Sequence, residues 1–233
     1  MKFILPTHIA IIENRYKRFL SDIRLDNGEV INAHVPNTGS MKTCWEPNWK
    51  VLVTQNDDPK RKLKYTLEMT HNGDTWISVN TGMTNKLVKE ALENNIITEL
   101  NDYPDIKAEK KVLESRLDFF LSGLEGKPDC YVEVKNVTLK GPDNYVLFPD
   151  SVSVRGQKHL KDLIHLKKEG FRSVMLYIVN REDADTFSPA KEIDPIYAKL
   201  LKQADEAGVE ILVYRTKLSE KEIYIDKKIK VEL

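Results

Sequence analysis

Through residues 1–80 no apolar pattern persists long enough to make a convincing helix. Apolar and polar positions alternate in short bursts, and turn-forming residues cut off each burst. Residues 9–12 and 15–23 read as strands. Asp26-Asn27-Gly28 is a hairpin signal, and residues 29–35 resume the two-residue period. Pro36-Asn37-Thr38-Gly39 is a turn, and residues 50–54 and 64–69 are further strands. His71-Asn72-Gly73-Asp74 is a second Asn-Gly hairpin, leading into residues 76–80. About five short strands joined by tight turns predict a small barrel or curled sheet, with an OB-like fold as the candidate.

The period changes at Thr81. Residues 84–94 carry Leu87, Val88, Ala91 and Leu92 at helical spacing. Residues 116–121 and 131–139 read as strands separated by a Gly- and Pro-containing segment. Leu160, Leu163, Ile164 and Leu166 belong to a helix that stops at Gly170, and residues 173–179 are an unbroken apolar run, as in a strand buried on both faces. Asp194-Pro195 supplies an N-cap and a first-turn proline to a helix with apolar face Tyr197, Leu200, Leu201 and Ala204, ended by Gly208. Residues 209–214 are another buried strand. This order predicts an α/β sheet with helices on its faces. The chain thus divides into an OB-like β domain, 1–81, and an α/β domain, 82–233, an α+β two-domain protein.

Composition narrows the function. The 233 residues hold 36 Lys plus Arg and 36 Asp plus Glu, so the net charge is zero. That excludes a histone-like basic binder but leaves room for a local basic groove. Two cysteines, Cys44 and Cys130, without a CxxC argue against a disulfide framework or a cysteine-based zinc site and fit a reducing cytoplasm. No segment approaches the roughly 18–20 consecutive apolar residues of a membrane span. Residues 1–12, interrupted by Pro6 and His8, read as a strand and not as an export signal. The five histidines lack zinc spacing, and GxSxG, Walker A and Rossmann glycine patterns are absent.

The chemistry concentrates in the hairpin of the second domain. Asp118 interrupts the apolar strand 116–121, and Glu133 and Lys135 interrupt strand 131–139. Residues two apart share a face of a strand. A hairpin centred between Glu125 and Gly126 puts Asp118 opposite Glu133 and Arg116 opposite Lys135 on one face. Two facing carboxylates repel unless a cation sits between them, and Mg2+ or Mn2+ suits their hard oxygens. A lysine beside such an ion can orient a water or stabilise a phosphate, which is the chemistry of phosphodiester hydrolysis. Asp129, after Pro128, is the alternative to Asp118 and otherwise a turn residue.

The run Ser115-Arg116-Leu117-Asp118-Phe119, a gap, then Glu133-Val134-Lys135 resembles the metal-site signature of the PD-(D/E)XK nuclease superfamily. More specifically, the chain is similar to the sugar fermentation stimulation protein A (SfsA) family. The stretches that carry this are Arg15 to Phe19, Pro36 to Gly39, Ser115 to Phe119, Tyr131 to Thr138, Phe148 to Asp150 and Arg155 to Leu160. The resemblance covers both domains and implies an N-terminal OB-like domain, a restriction-endonuclease-like C-terminal domain and DNA binding. It also implies a link to sugar-utilisation genes. It assigns Asp118, Glu133 and Lys135 to the core of the site and the Val134 carbonyl to the metal. A helix glutamate often joins such sites; Glu90 is the choice here, with Glu93, Glu109 and Glu114 as competitors. Gln157 fits the polar residue at the start of the following helix.

Other positions offer binding surface. Arg155, Lys158, His159 and Lys161 cluster where a helix begins and can hold a phosphate, or simply form an exposed helix start. Arg15-Tyr16-Lys17-Arg18-Phe19 interleaves cations and aromatics as single-strand-binding surfaces do, although Tyr16 and Phe19 equally suit barrel packing. Lys60, Arg61 and Lys62 form a phosphate-contacting loop or a solvated one. The polar turn of His34, Asn37, Thr38, Gly39 and Ser40 is a structural turn or an anion nest. Three readings follow: a DNA-binding, Mg2+- or Mn2+-dependent nuclease; a non-catalytic DNA-binding regulator of maltose-type sugar utilisation; and an enzyme acting on a small phosphorylated ligand. No membrane partner is expected, and a homodimer is compatible with a sequence that leaves the oligomeric state open.

Overall fold

The computed structural model describes residues 1–112 and 115–233. Its first domain contains β1 (Thr7–Tyr16), β2 (Leu20–Leu25), β3 (Val30–His34), β4 (Lys50–Gln55), β5 (Tyr65–His71) and β6 (Trp76–Ser78). β1, β2 and β3 form an antiparallel meander, and β4 pairs with β1 and β5 with β4. A parallel contact between β3 and β5 closes these five strands into the expected OB barrel. Ala10, Ile12, Ile23, Ala33, Val51 and Leu67 fill it, which is why alternation was the dominant signal here. The stretch 15–23, expected as one strand, is two. Lys17 and Arg18 both take positive φ, 49° and 66°, and reverse the chain between β1 and β2. No glycine or asparagine announces that turn, so the sequence pattern hid it.

The second domain begins with α1 (Thr84–Glu93), followed by β7 (Asp105–Val112), β8 (Ser115–Ser122), β9 (Cys130–Val137), β10 (Leu139–Lys140) and β11 (Tyr145–Phe148). Then come α2 (Val154–Lys168), β12 (Arg172–Val179), β13 (Thr186–Pro189), α3 (Pro195–Glu206), β14 (Glu210–Leu218), β15 (Ile223–Lys228) and β16 (Lys230–Val231). Six strands make the main sheet in the order β15-β14-β12-β9-β8-β7, with β9, β12 and β14 parallel. A small sheet, β10-β11-β13-β16, flanks it. The unanticipated β7 is an edge strand rich in Lys and Glu, with every residue at least partly exposed, so it shows no apolar period. The strands of the small sheet are two to four residues long, too short to show one.

α2 and α3 cover one face of the main sheet, where Leu160, Leu163, Leu200 and Leu201 pack on Met175, Tyr177 and Val213. Both helices start as their sequences require. Ser153 Oγ accepts from Gly156 N at 3.0 Å, and Asp194 Oδ1 accepts from Tyr197 N at 2.9 Å ahead of the first-turn proline. α1 covers the other face and shares its core with the barrel. Leu52 of β4 and Met69 of β5 are buried with Leu87, Val88, Val132 and Leu176.

A second join between the domains is polar. Arg181, 2% exposed, donates to the carbonyls of Thr138 at 2.8 Å and Thr43 at 3.2 Å and forks onto Asp183 at 2.6 and 2.8 Å. Thr43 belongs to the barrel domain. Ser78 N also donates to Asn180 O at 2.9 Å, next along the chain. Removing a buried guanidinium strands its acceptors, a loss of about 3–5 kcal/mol. Arg181→Ala is therefore expected to lower the urea unfolding free energy by that order. A loss below about 1 kcal/mol would contradict the assignment of Arg181 as the clasp between domains.

Candidate active site

β8 and β9 pair through Phe119 with Val132, Phe120 with Tyr131 and Leu121 with Cys130, the register that sets Asp118 opposite Glu133. The paired stretch ends there and the strands part. The Val134 N–H, no longer needed by the ladder, donates to Asp118 Oδ2 at 2.8 Å. N–H and C=O of one strand residue emerge on the same edge, so the Val134 carbonyl faces the same gap. Arg116, expected opposite Lys135, instead bonds Glu109 of β7 at 3.0 Å, because the two strands have separated at its level. Asp118 Oδ1 accepts from Asn85 Nδ2, in the first turn of α1, at 2.7 Å. Burial raises the Asp118 carboxyl above the usual aspartate range and the charge of Glu133 adds to this; the Val134 and Asn85 donors pull it back.

Glu133 is 2% exposed in a central strand. Its Oε1 accepts from Lys135 Nζ at 2.5 Å and from His159 Nδ1 of α2. The Glu133 carboxylate can only accept, which puts the His159 ring proton on Nδ1 although Lys135 Nζ also lies 3.1 Å from that nitrogen. Nε2 is left to accept from Arg155 Nε at 3.4 Å. Burial alone would raise the Glu133 carboxyl, but His159 and Lys135 outweigh it and hold it below the usual range. The second oxygen, Oε2, is buried and has no hydrogen-bond partner. Asp118, Glu133, Val134, Lys135, Asn85 and Arg155 line one cleft of about 290 Å³.

The remaining candidates lie elsewhere. Glu90 pairs with the Met1 ammonium at 2.9 Å, Glu93 with Lys89 at 3.7 Å and Glu109 with Arg116, while Glu114 lies outside the described residues. Gln157 donates to both oxygens of Asp194, at 2.9 and 3.1 Å, at the start of α3. Asp129 sits at the other end of the hairpin, where its carbonyl accepts from Arg172 N. Sequence reasoning missed Asn85 as the partner of Asp118, which no charge pattern marks. It placed His159 with the phosphate cations; the i,i+4 spacing to Arg155 was the available signal that both face one way.

Of the binding candidates, Arg155 lines the cleft and Lys158 follows it on α2. Arg15 turns inward and donates to the carbonyls of Asn37 at 3.0 Å and Gly39 at 3.1 Å, and Tyr16 donates to Asp22 at 3.1 Å. Both are thus engaged in holding the barrel's own turns. Lys17, Arg18, Lys60 and Lys62 are exposed, while Arg61 donates to Thr66 at 2.8 Å. The carboxylate pair generates a prediction of opposite signs. Glu133→Gln removes a like charge and is expected to lower the Asp118 titration midpoint; Asn85→Ala removes a donor and is expected to raise it. Carboxyl 13C NMR of labelled aspartate reads both, and an unmoved midpoint in Glu133→Gln would contradict the facing arrangement.

Comparison with known proteins extends to the whole chain. The family described as the sugar fermentation stimulation protein RE domain matches residues 82–222, and the SfsA N-terminal OB domain matches residues 14–79. A sugar fermentation stimulation protein homolog of Geotalea uraniireducens (strain Rf4) is 44% identical over 234 residues, covering 100% of both chains. A homolog of Shewanella baltica (strain OS195) is 45% identical over 228 residues, covering 97% of each. The solved structure of Pyrococcus furiosus SfsA in complex with Ca2+ is 31% identical, with a TM-score of 0.88 over 100% of this chain and 98% of that one. With both halves matched in order and relatives aligned from end to end, this chain belongs to the sugar fermentation stimulation protein (SfsA) family.

Proposed function

We propose that the cleft is a divalent-metal site that hydrolyses phosphodiester bonds of DNA. The observation that carries this is Glu133 Oε2, a buried carboxylate oxygen without a protein partner, in the same cleft as Asp118. A fully internal ion pair would satisfy both oxygens; a buried one left without a protein donor fits an external cation. Two carboxylates and the Val134 carbonyl form a hard-oxygen set suited to Mg2+ or Mn2+, both of which keep several waters. Among the described residues no group of three His, Cys, Asp or Glu is placed to hold a metal, so the set would rest on the two carboxylates and the backbone carbonyl, His159 being spent on Glu133. The Ca2+ complex of the Pyrococcus furiosus relative supports the same choice of ligand chemistry.

Bound there, the metal would supply Lewis-acid activation of water and charge neutralisation at the phosphate. The protein's own groups do the rest. Asn85 fixes one oxygen of Asp118, leaving the other carboxylate lone pairs turned to the cleft. His159 holds Glu133 with its protonated nitrogen, and Arg155 donates to the other ring nitrogen. Lys135 donates to Glu133 and keeps its remaining N–H groups for the attacking water or a phosphate oxygen. Arg155 at the rim takes a non-bridging phosphate oxygen, and exposed Lys17, Arg18, Lys60 and Lys62 extend the grip along the backbone of the strand. The two buried free thiols, Cys44 and Cys130, suit a reducing cytoplasm.

The test is a cleavage assay on single- and double-stranded DNA with Mg2+, Mn2+ or chelator. Wild type is expected to cut only with metal, and Asp118→Ala and Glu133→Ala to fall to background. No cutting under any condition, with DNA retention unchanged in both variants, would overturn catalysis and favour a DNA-binding regulator. Lys135→Ala is expected to lower kcat on the order of 10²-fold while retaining metal affinity. Asn85→Ala is expected to weaken apparent metal affinity by about 10-fold.

A further inference from the structure

A second cavity, of about 240 Å³, adjoins the cleft; Thr81 and Asn136 belong to the walls of both. It lies between the barrel's 36–39 turn and the segment before α2. Leu139, Leu147 and Phe148 give it apolar walls, and Asn37 and Asp150 stand at its polar side. A cavity of that volume has room for several waters or for a single heterocyclic base.

The polar side, which carries the Asp150 carboxylate, is poorly suited to a phosphate. The amides a phosphate would use are taken: Gly39 N donates to Asn37 Oδ1 at 2.9 Å, and Ser40 N and Oγ donate to Asp150 Oδ2 at 2.8 and 3.0 Å. At Ser40 a carboxylate of the protein already occupies the place an anion would take. Asp150 keeps Oδ1 as an acceptor and Asn37 keeps its NH2 as a donor. The two side chains converge on Gly39. A Cβ there would stand 2.6 Å from Asp150 Oδ2 and 3.0 Å from Asn37 Oδ1.

We infer that this cavity receives one unstacked base of the bound strand, next to the phosphate held in the cleft, with Asp150 Oδ1 and Asn37 Nδ2 meeting a donor and an acceptor on its edge. All four bases carry a donor beside an acceptor on the Watson–Crick edge, so this pair fixes the orientation of the base and not its identity. Apolar walls suit the base faces. Val152 and Val154, 64% and 73% exposed between Asp150 and Arg155, are placed to cover the gap left in the stack. This inference rests on the proposed action on DNA.

The experiment uses the full-length protein with duplexes carrying one unpaired 2-aminopurine, with Ca2+ in place of Mg2+ so that binding is read apart from cutting. Anisotropy reports binding and 2-aminopurine fluorescence reports unstacking. Wild type is expected to bind with a rise in fluorescence. Gly39→Ala, checked for folding by circular dichroism, is expected to bind with the rise abolished. Asp150→Asn keeps an acceptor for Ser40 but turns a donor to the cavity, so it is expected to lower the affinity for the unpaired base on the order of 10-fold. Binding without a rise in wild type, a rise retained in folded Gly39→Ala, or an unchanged affinity in Asp150→Asn would overturn the pocket alone. No binding of any of these DNAs by wild type would overturn the DNA reading together with it.

Discussion

A carboxylate buried in a central strand costs several kcal/mol unless donors compensate it. Glu133 is that carboxylate, and much of the C-terminal domain is arranged to accommodate it. Lys135 answers from the same face of β9, two residues on. α2 crosses that face so that His159 meets the same oxygen, and Arg155 one turn earlier donates to the ring's other nitrogen. Compensation stops at one oxygen. The other is left without a partner, in a cleft shared with Asp118, whose own charge is disfavoured by burial and by Glu133. The resulting charge imbalance is what a divalent cation would relieve.

The geometry of that imbalance depends on the strands parting at Asp118. Had the β8–β9 ladder continued, the Val134 N–H would have gone to β8 backbone and not to the Asp118 carboxylate. The barrel domain shapes the same opening. Its last strands lead through Thr81 into α1, which delivers Asn85 to Asp118, and Leu52 and Met69 bury the barrel against the sheet. Arg181 ties the barrel's Thr43 to the end of β9. The cleft and the neighbouring cavity therefore sit where the two domains meet, and neither domain alone completes the walls.

The sequence made the hairpin register and the Asp118, Glu133 and Lys135 constellation legible, because a period of two and charged residues inside apolar strands are local signals. The barrel was legible for the same reason. What it concealed depended on direction in space. Glu90 shares a helix with Asn85, but lies about 7.5 Å further along the axis and on a different face, where it meets the Met1 ammonium. Gln157 sits two positions from both Arg155 and His159, so it points away from them toward Asp194. Arg15 looked like a DNA contact within a cationic run; the turn after Tyr16 aims it at the carbonyls of residues 37 and 39 instead. Composition cannot separate a cation that faces solvent from one that holds a turn.

The central claim is that Asp118 and Glu133 together hold one divalent ion. Titration of the full-length protein with Mn2+, followed by electron paramagnetic resonance of the free ion, tests it without requiring a substrate. One site per chain is expected in wild type, with its loss in the folded Asp118→Asn, Glu133→Gln double variant. An unchanged Mn2+ isotherm in that double variant would contradict it.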